Sequence, residues 1–545
     1  MTQHAVLPVS VSAGFRSLSP SLRWAATWPV GVAATLPLLA FVLSGNVGLD
    51  LGDPGFLWYG AQRVLAGEVP LRDFQAYDIG RYYWSAAWML LLGSDGIMAL
   101  RAGQAVLASI CVVLATLLVR RELRGRSWLL GAVAVSFWIW MVPSHKLADS
   151  FAVLLLVAGL SVLLRQRTPG GWAVFGACLG VATGIGINHG AYGTVAGALA
   201  IMYCRLADRT AVTLPLLASL VLGGLVGYLP VLVFHVAVPG YSAGFFDAIR
   251  QLFESGTTNI TLPLPRLDAI WSGTAPYFMH GMRETVLALF SLAAGAFLLW
   301  GTSRVVRCAR QGSLATPPAT SPVHAASLFV ALPYCHYFLS RADLIHAVVS
   351  VLPILLAAWT YPTVRRVGVH RIALVLVIAC SSLLTLHEHP GYALLRGIQP
   401  LEWINVRGDK LRLPSWQAAE VRFVQQIVQA HAADRRMFYV APYWPGAYAV
   451  AARRSPTWEI LLLFPARPQR QRVEIQRLAA ADIGFALLTS DRVDKRPDLG
   501  LERTHPLIVR HLERCMQPTR VALQAPPHWE GVRVLVPGDV NCPIE

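Results

Sequence analysis

Residues 46–84, NVGLDLGDPGFLWYGAQRVLAGEVPLRDFQAYDIGRYYW, decide how the rest of the chain is read. They directly follow a long apolar run. Yet they hold five acids (Asp50, Asp53, Glu68, Asp73, Asp78) and three arginines (Arg63, Arg72, Arg81) in a chain otherwise poor in charge. Carboxylates at the mouth of a membrane domain are costly to desolvate, so they need either water or a task. Asp50 and Asp53 also stand where they could cap a helix beginning near Pro54, a first-turn position that suits a residue without an N–H. The piece YYWSAAWMLLLG is aromatic-rich and fits a short amphipathic helix lying along an interface.

Of the 545 residues, 55% are hydrophobic and 14% charged, where ordinary globular chains carry about 25% charge. Mean hydropathy is +0.50. Apolar runs recur at 24–43, 98–119, 128–142, 151–164, 172–187, 194–204, 212–238, 285–300, 326–338, 347–360 and 372–386. They predict an α-helical polytopic membrane protein of about eleven crossings, with 212–238 the longest. No small-residue cleavage site follows the first run, so it reads as a retained anchor behind a cytoplasmic segment, 1–23, whose first twenty or so residues look disordered.

The net charge of +16 does not point to nucleic acid. The arginines cluster in short loops between apolar runs, the positive-inside pattern of a bacterial inner membrane, and no basic face with interleaved aromatics is present. If RRELRGR is cytoplasmic, alternation places RQR, RLADR, the Arg304 loop and the Arg365 loop there too. The opposite, external face then receives the acidic loop 45–97, SHKLAD, NHGAYG, SRADLIH and the tail. That convergence is the strongest sign of a single site. The tract ATPPATSP reads as flexible linker.

Six of the eight cysteines (Cys111, Cys178, Cys204, Cys308, Cys335, Cys380) lie in or beside apolar runs and read as small packing residues. Cys515 and Cys542 lie in the tail, where an oxidising compartment would favour a disulfide. The chain thus divides into 1–23, a membrane domain 24–389 and an external domain 390–545. In the last, helical periodicity at 418–433, 467–481 and HPLIVRHLERC alternates with strand-like MFYVA and IGFALLTS, which suggests a small α/β domain. YWPGAY, RRSPTWE and THP read as its turns and core, with an acceptor-side lid the alternative. HEH at 387–389 lacks the spacing of a metal motif, and GIGINHG reads as a helix-packing segment.

The order of an apolar span followed by DPGFLWYGAQRVLAGEVPLRDF resembles the first external loop of the C-type (GT-C) membrane glycosyltransferases. In that superfamily, which includes protein O-mannosyltransferases and the lipid A aminoarabinose transferase, an acid follows the first span. A helix, a Gly-containing turn and a second acidic element then precede the next. The resemblance covers the order of spans and loops over roughly 24–390 and an external C-terminal domain. It implies that Asp53 matches the first catalytic acid and Asp73 the second. The chain has DPG where some members carry Asp-Glu, and YDIGRYY where many have a Lys-Pro-Pro-type stretch, which leaves donor and acceptor open.

What the resemblance implies is transfer of a sugar from a polyprenyl-phosphate donor to an envelope lipid, glycan or protein on the external face of the inner membrane. Such transfer needs a base for the acceptor hydroxyl and cations for the leaving phosphate. Asp53 is the candidate base. Asp73 and Asp78 could orient the acceptor or, with Asp53, hold a divalent metal, though nothing in the spacing requires one. Arg81, His145, Lys146, His189, Arg341 and His346 are candidates for the phosphate end, arginine because its planar fork binds two oxygens. Arg341 with Asp343, and Lys146 with Asp149, read equally well as structural pairs, and His189 as a satisfied helix-end histidine. The rival reading is a transporter or flippase of a lipid-linked glycan, disfavoured because the charges gather at one rim and no internal repeat is visible.

Overall fold

The computed structural model describes residues 20–123, 126–208, 212–256, 259–272, 278–310, 321–361, 369–397 and 400–538. Fifteen helices build the membrane part and its rim. They are α1 (Pro20–Ser44), α2 (Asp53–Leu65), α3 (Ile79–Leu92), α4 (Ile97–Arg120), α5 (Ser127–Trp138), α6 (Leu147–Gln166), α7 (Pro169–Ile185) and α8 (Ile187–Asp208). There follow α9 (Leu214–Ala237), α10 (Tyr241–Ser255), α11 (Ala269–Ser272), α12 (Phe278–Arg310), α13 (Pro322–Leu339), α14 (Leu344–Thr360) and α15 (Val369–Thr385).

Each apolar run of the sequence falls mainly on one of these helices, although 128–142 runs past the end of α5 at Trp138 and 172–187 past the end of α7 at Ile185. By length and composition, five described segments can cross a membrane: Thr27–Ser44, Ile97–Arg120, Ser144–Gln166, Leu214–Ala237 and Phe278–Arg310. Shorter apolar helices accompany them, so eleven crossings remains an expectation. The longest described helix is α12, with 33 residues against 24 in α9. It outgrows its apolar run at both ends, from Phe278 and through SRVVRCAR to Arg310, because neither flank holds a proline to break it. The basic segment 1–19, positions 124–125, 209–211, 311–320 and 362–368 lie outside the described residues.

Packing in the bundle depends on small residues. A Cβ on Gly176, Gly180, Gly223 or Gly227 would collide with backbone of the facing helix, so α7 and α9 approach as only glycine allows. The two ends of the bundle differ in chemistry. Arg165 at the end of α6 lies beside Arg121 and Glu122 after α4, and Ser321 before α13 donates to Glu122 at 2.6 Å. The acidic loop, SHKLAD, NHGAYG and SRADLIH gather at the other end.

The tail begins with α16 (Pro390–Arg396) and a hairpin of β1 (Leu401–Val406) and β2 (Asp409–Pro414). Arg407 and Gly408 turn the hairpin with φ of 55° and 87°, as a two-residue turn between twisted strands demands. Then come α17 (Ser415–His431), β3 (Met437–Ala441), α18 (Gly446–Ala451), α19 (Pro468–Ala480), β4 (Ile483–Leu488), α20 (Leu501–Thr504), α21 (Pro506–Cys515), β5 (Met516–Pro518) and β6 (Arg533–Pro537). The sheet order is β3-β4-β6-β5, with β3 and β4 parallel and the other pairs antiparallel. This is the small α/β unit expected. Cys515 is disulfide-bonded, the six cysteines of the helical part are free, and Cys542 lies outside the described residues.

The two parts share a core. Leu49, Leu51, Phe56, Trp58 and Tyr82 of the acidic loop pack in one cluster with Val406, Leu413, Phe423, Phe438 and Tyr448 of the tail. RRSPTWE turns out to be the seam. Ser455 N donates to Tyr59 Oη at 3.0 Å, the Trp458 indole to Leu71 O at 3.0 Å, and Ile460 and Leu461 N to Gln75 Oε1 at 2.9 and 2.8 Å. Loop 45–97 is therefore not a free rim but the floor on which the tail is built.

Candidate active site

Asp53 is the first residue of α2, with Gly52 as N-cap and Pro54 in the first turn. Neither Asp50 nor Asp53 caps the helix, the alternative to a catalytic role, since no side chain accepts at that cap. Asp50 Oδ1 instead accepts from Gly52 N at 2.7 Å, closing a tight turn ahead of the helix. That frees the Asp53 carboxylate, 33% exposed, to face His145 Nε2 at 3.9 Å.

SHKLAD supplies the opposite wall. It follows a cis Val142–Pro143 bond and forms a short 3₁₀ turn, Ser144–Lys146, before α6. Both ring nitrogens of His145 are buried without a hydrogen-bond partner. The Lys146 ammonium donates to Tyr337 Oη at 3.2 Å and lies 5.8 Å from that ring's centre. An ammonium has three donors, so Lys146 retains capacity for an anion.

Behind this wall sits a buried relay that the sequence reading paired differently. Asp149 is joined not to Lys146 but to Arg81, at 2.9 Å, and to His189 Nε2, at 2.8 Å. His189 Nδ1 meets Tyr334 Oη at 2.6 Å. Arg81 also lies over Tyr77, 5.2 Å from the ring centre. His189 is thus a satisfied histidine, as its helix-end position suggested. Asp149, Tyr77, Tyr334 and Tyr337 went unchosen in the sequence. An aspartate four residues after His145, in an otherwise apolar helix, was the available signal.

The other acids of the loop face elsewhere. Asp73 accepts from Val69 N at 2.7 Å and from Arg72 at 2.9 and 2.7 Å, so it closes the Gly-containing turn. Burial pushes its carboxyl up, but Arg72 and the Val69 amide outweigh that and leave it below its ordinary value. Asp78 is the N-cap of α3 and accepts from Ile187 N at 3.3 Å. Burial pushes it up to about 7, against the pull of Arg81. Among the described residues no three His, Cys, Asp or Glu side chains gather closely enough to hold a metal ion.

SRADLIH is close by but engaged. Arg341 meets Asp343 at 2.7 Å and forks both oxygens of Asp494 in the tail at 2.7 Å each. Asp343 caps α14 by accepting from His346 N at 2.9 Å and from its Nδ1 at 2.7 Å. His346 Nε2 in turn meets Asn259 Nδ2 at 2.9 Å. The structural-pair alternative for Arg341 and Asp343 describes this arrangement.

No family model matches the sequence, and no curated protein matches it. Among solved structures, the fold is similar to that of ArnT from Cupriavidus metallidurans, whose crystal structure is bound to undecaprenyl phosphate. The TM-score is 0.51 and the identity 13%, over 94% of this chain and 98% of that one. The chain shares that overall fold. At that identity the likeness speaks for fold alone, but it spans both parts. The likeness therefore covers the helical part, the acidic loop and the C-terminal domain together.

Proposed function

We propose that this protein is an integral membrane glycosyltransferase. It takes a sugar from a polyprenyl-phosphate donor and gives it to a hydroxyl of an envelope lipid, glycan or protein on the external face of the inner membrane. The observation that carries the reading is the juxtaposition of Asp53 with His145 and the Lys146 ammonium, backed by the buried Arg81–Asp149 pair, at one end of the helical bundle. The ArnT structure of the same fold is bound to undecaprenyl phosphate, a lipid phosphate of the kind this wall would hold.

Chemistry assigns the roles. Asp53, part exposed and acceptor-only when ionised, takes the acceptor proton as the new glycosidic bond forms. The bond from the anomeric carbon to phosphate oxygen breaks, and the electron pair leaves with the polyprenyl phosphate. Lys146, with Arg81 behind it, would neutralise that developing charge. Asp149 and His189 hold Arg81 in place. Asp73 orders the loop through Arg72 instead of meeting Asp53, and Arg341 joins the tail to the bundle.

The test is genetic and chemical. The gene is deleted in its source cell, and surface glycans, lipid A and glycoproteins are profiled by mass spectrometry. One sugar residue should vanish from one product and return with wild type. Folded, membrane-inserted Asp53→Asn should restore it at a rate lower by about 10²- to 10⁴-fold, the size of a lost general base. Full restoration by Asp53→Asn would refute the assignment of the base. A whole glycan stranded inside on its lipid carrier would favour the flippase.

A further inference from the structure

Tyr443 belongs to the C-terminal domain, yet it stands at Asp53. Its hydroxyl lies beside the Asp53 carboxylate, close enough for the two to interact directly. Its ring lies flush on the turn before α2: a Cβ on Gly52 would sit 2.7 Å from Tyr443 Cε1 and 3.3 Å from Cζ. The contact is locked from both sides. Gly446 N donates to Leu51 O at 2.8 Å, and a Cβ on Gly55 would lie 2.6 Å from Gly446 Cα. The turn 442–446 and the start of α2 therefore meet backbone to backbone. On the domain side, Trp444 stacks on Trp529 at 4.9 Å and 23°, and the Trp529 indole donates to the buried Glu420 at 2.8 Å.

We propose that Tyr443 is a positioning residue for the catalytic base. Its hydroxyl donates to Asp53 and fixes the carboxylate in the orientation that receives the acceptor proton, so the C-terminal domain supplies part of the active site. The inference rests on the reading of Asp53 as base. His145, at 3.9 Å, is beyond hydrogen-bond reach of Asp53, which leaves that orientation to Tyr443. Burial, and then the negative charge of Asp53, raise the Tyr443 hydroxyl above its ordinary value, so it stays protonated and can only donate to a carboxylate. A carboxylate free to rotate would lose the near-attack geometry on which proton abstraction depends.

The experiment uses the full chain carrying Tyr443→Phe, which keeps the ring over Gly52 and removes the hydroxyl. Sugar transfer is followed as an initial rate in membranes of the complemented deletion cells, whose own lipid-linked donor and acceptor are the substrates. Binding of undecaprenyl phosphate and thermal stability are measured on the purified protein. The rate should fall about ten- to a hundredfold, as expected for one hydrogen bond to a charged group, while lipid binding and melting temperature stay at wild-type values. A rate within twofold of wild type overturns the proposal, and so does a loss of rate that merely follows lost stability or lost lipid binding. Should Tyr443→Phe fail to fold, 3-fluoro- and 3,5-difluorotyrosine at position 443 keep ring and hydroxyl. The rate should then change in step with hydroxyl acidity, and an unchanged rate overturns the idea. Failure of the transferase reading would look different: wild type itself would add no sugar to the membranes.

Discussion

Asp53 and Asp78 come from one loop and meet different surroundings. Asp53 and Asp78 are both part exposed, but Asp78, at the start of α3, is crowded by its neighbours, and that burial pushes its carboxyl up to about 7 from 3.8. Between those two values the native state keeps a proton that the unfolded chain has released. The contribution of Asp78 to stability is therefore fully present below about 3.8 and lost as pH rises through about 7. Asp78→Asn keeps an acceptor for Ile187 N without the charge. Its melting temperature should equal wild type near pH 4 and exceed it at pH 8, on the order of 1–2 kcal/mol after screening. Thermal denaturation in detergent across that range decides it, and equal melting at pH 8 would show that Asp78 is not crowded in this way. From sequence, a carboxylate after an apolar run is visible as costly, but which acid is crowded and which is wetted depends on neighbours that arrive from α8 and the tail.

At the scale of elements, the α7–α9 pair shows what composition alone conceals. Four of the residues that set this crossing, Gly176, Gly180, Gly223 and Gly227, act by having no side chain, and hydropathy counts glycine as nearly neutral. Gly180 faces the Gly224 backbone, and any Cβ there collides with main chain that cannot rotate away. Gly180→Leu should destabilise the bundle by about 1–3 kcal/mol or more, seen as a lower melting temperature. Because α7 ends at Ile185, just before the turn that carries Ile187 and His189, sugar transfer should fall as well. Unchanged melting would mean that α7 and α9 are not in contact. Helix α12 is the converse case. Its apolar run was legible, but its extent was set by the absence of a proline in either flank, which a hydropathy window does not register.

The two parts are joined at several seams, among them the shared core beneath the acidic loop, the Arg467–Glu254 and Arg470–Asp247 pairs to α10, and the Arg341–Asp494 fork. Arg341 also holds Asp343 and the Ile260 carbonyl, so losing its tail partner leaves a part-buried guanidinium half satisfied. Asp494→Ala should loosen the C-terminal domain by roughly 1–3 kcal/mol. Faster proteolysis or hydrogen exchange of residues 400–538 would report it, with α4 and α6 unchanged. Equal protection of the tail in the variant would mean that the fork does not hold it. The sequence by itself determined the class of protein: apolar runs too long and too many for a soluble core, basic loops sorted from acidic ones by alternation, and an acid-rich loop after the first span. Those properties are local or periodic, so they survive without coordinates. It also marked Asp53, His145 and Lys146, because polar groups in apolar surroundings stand out wherever they fall. Only the tertiary structure decided that Asp149 serves Arg81 and His189, that Asp73 closes a turn, that Arg341 grips the tail, and that Tyr443 reaches Asp53. Each of these depends on which carboxylate a distant segment meets. Desolvation and hydrogen bonding act over a few ångströms of space, whatever the separation along the chain.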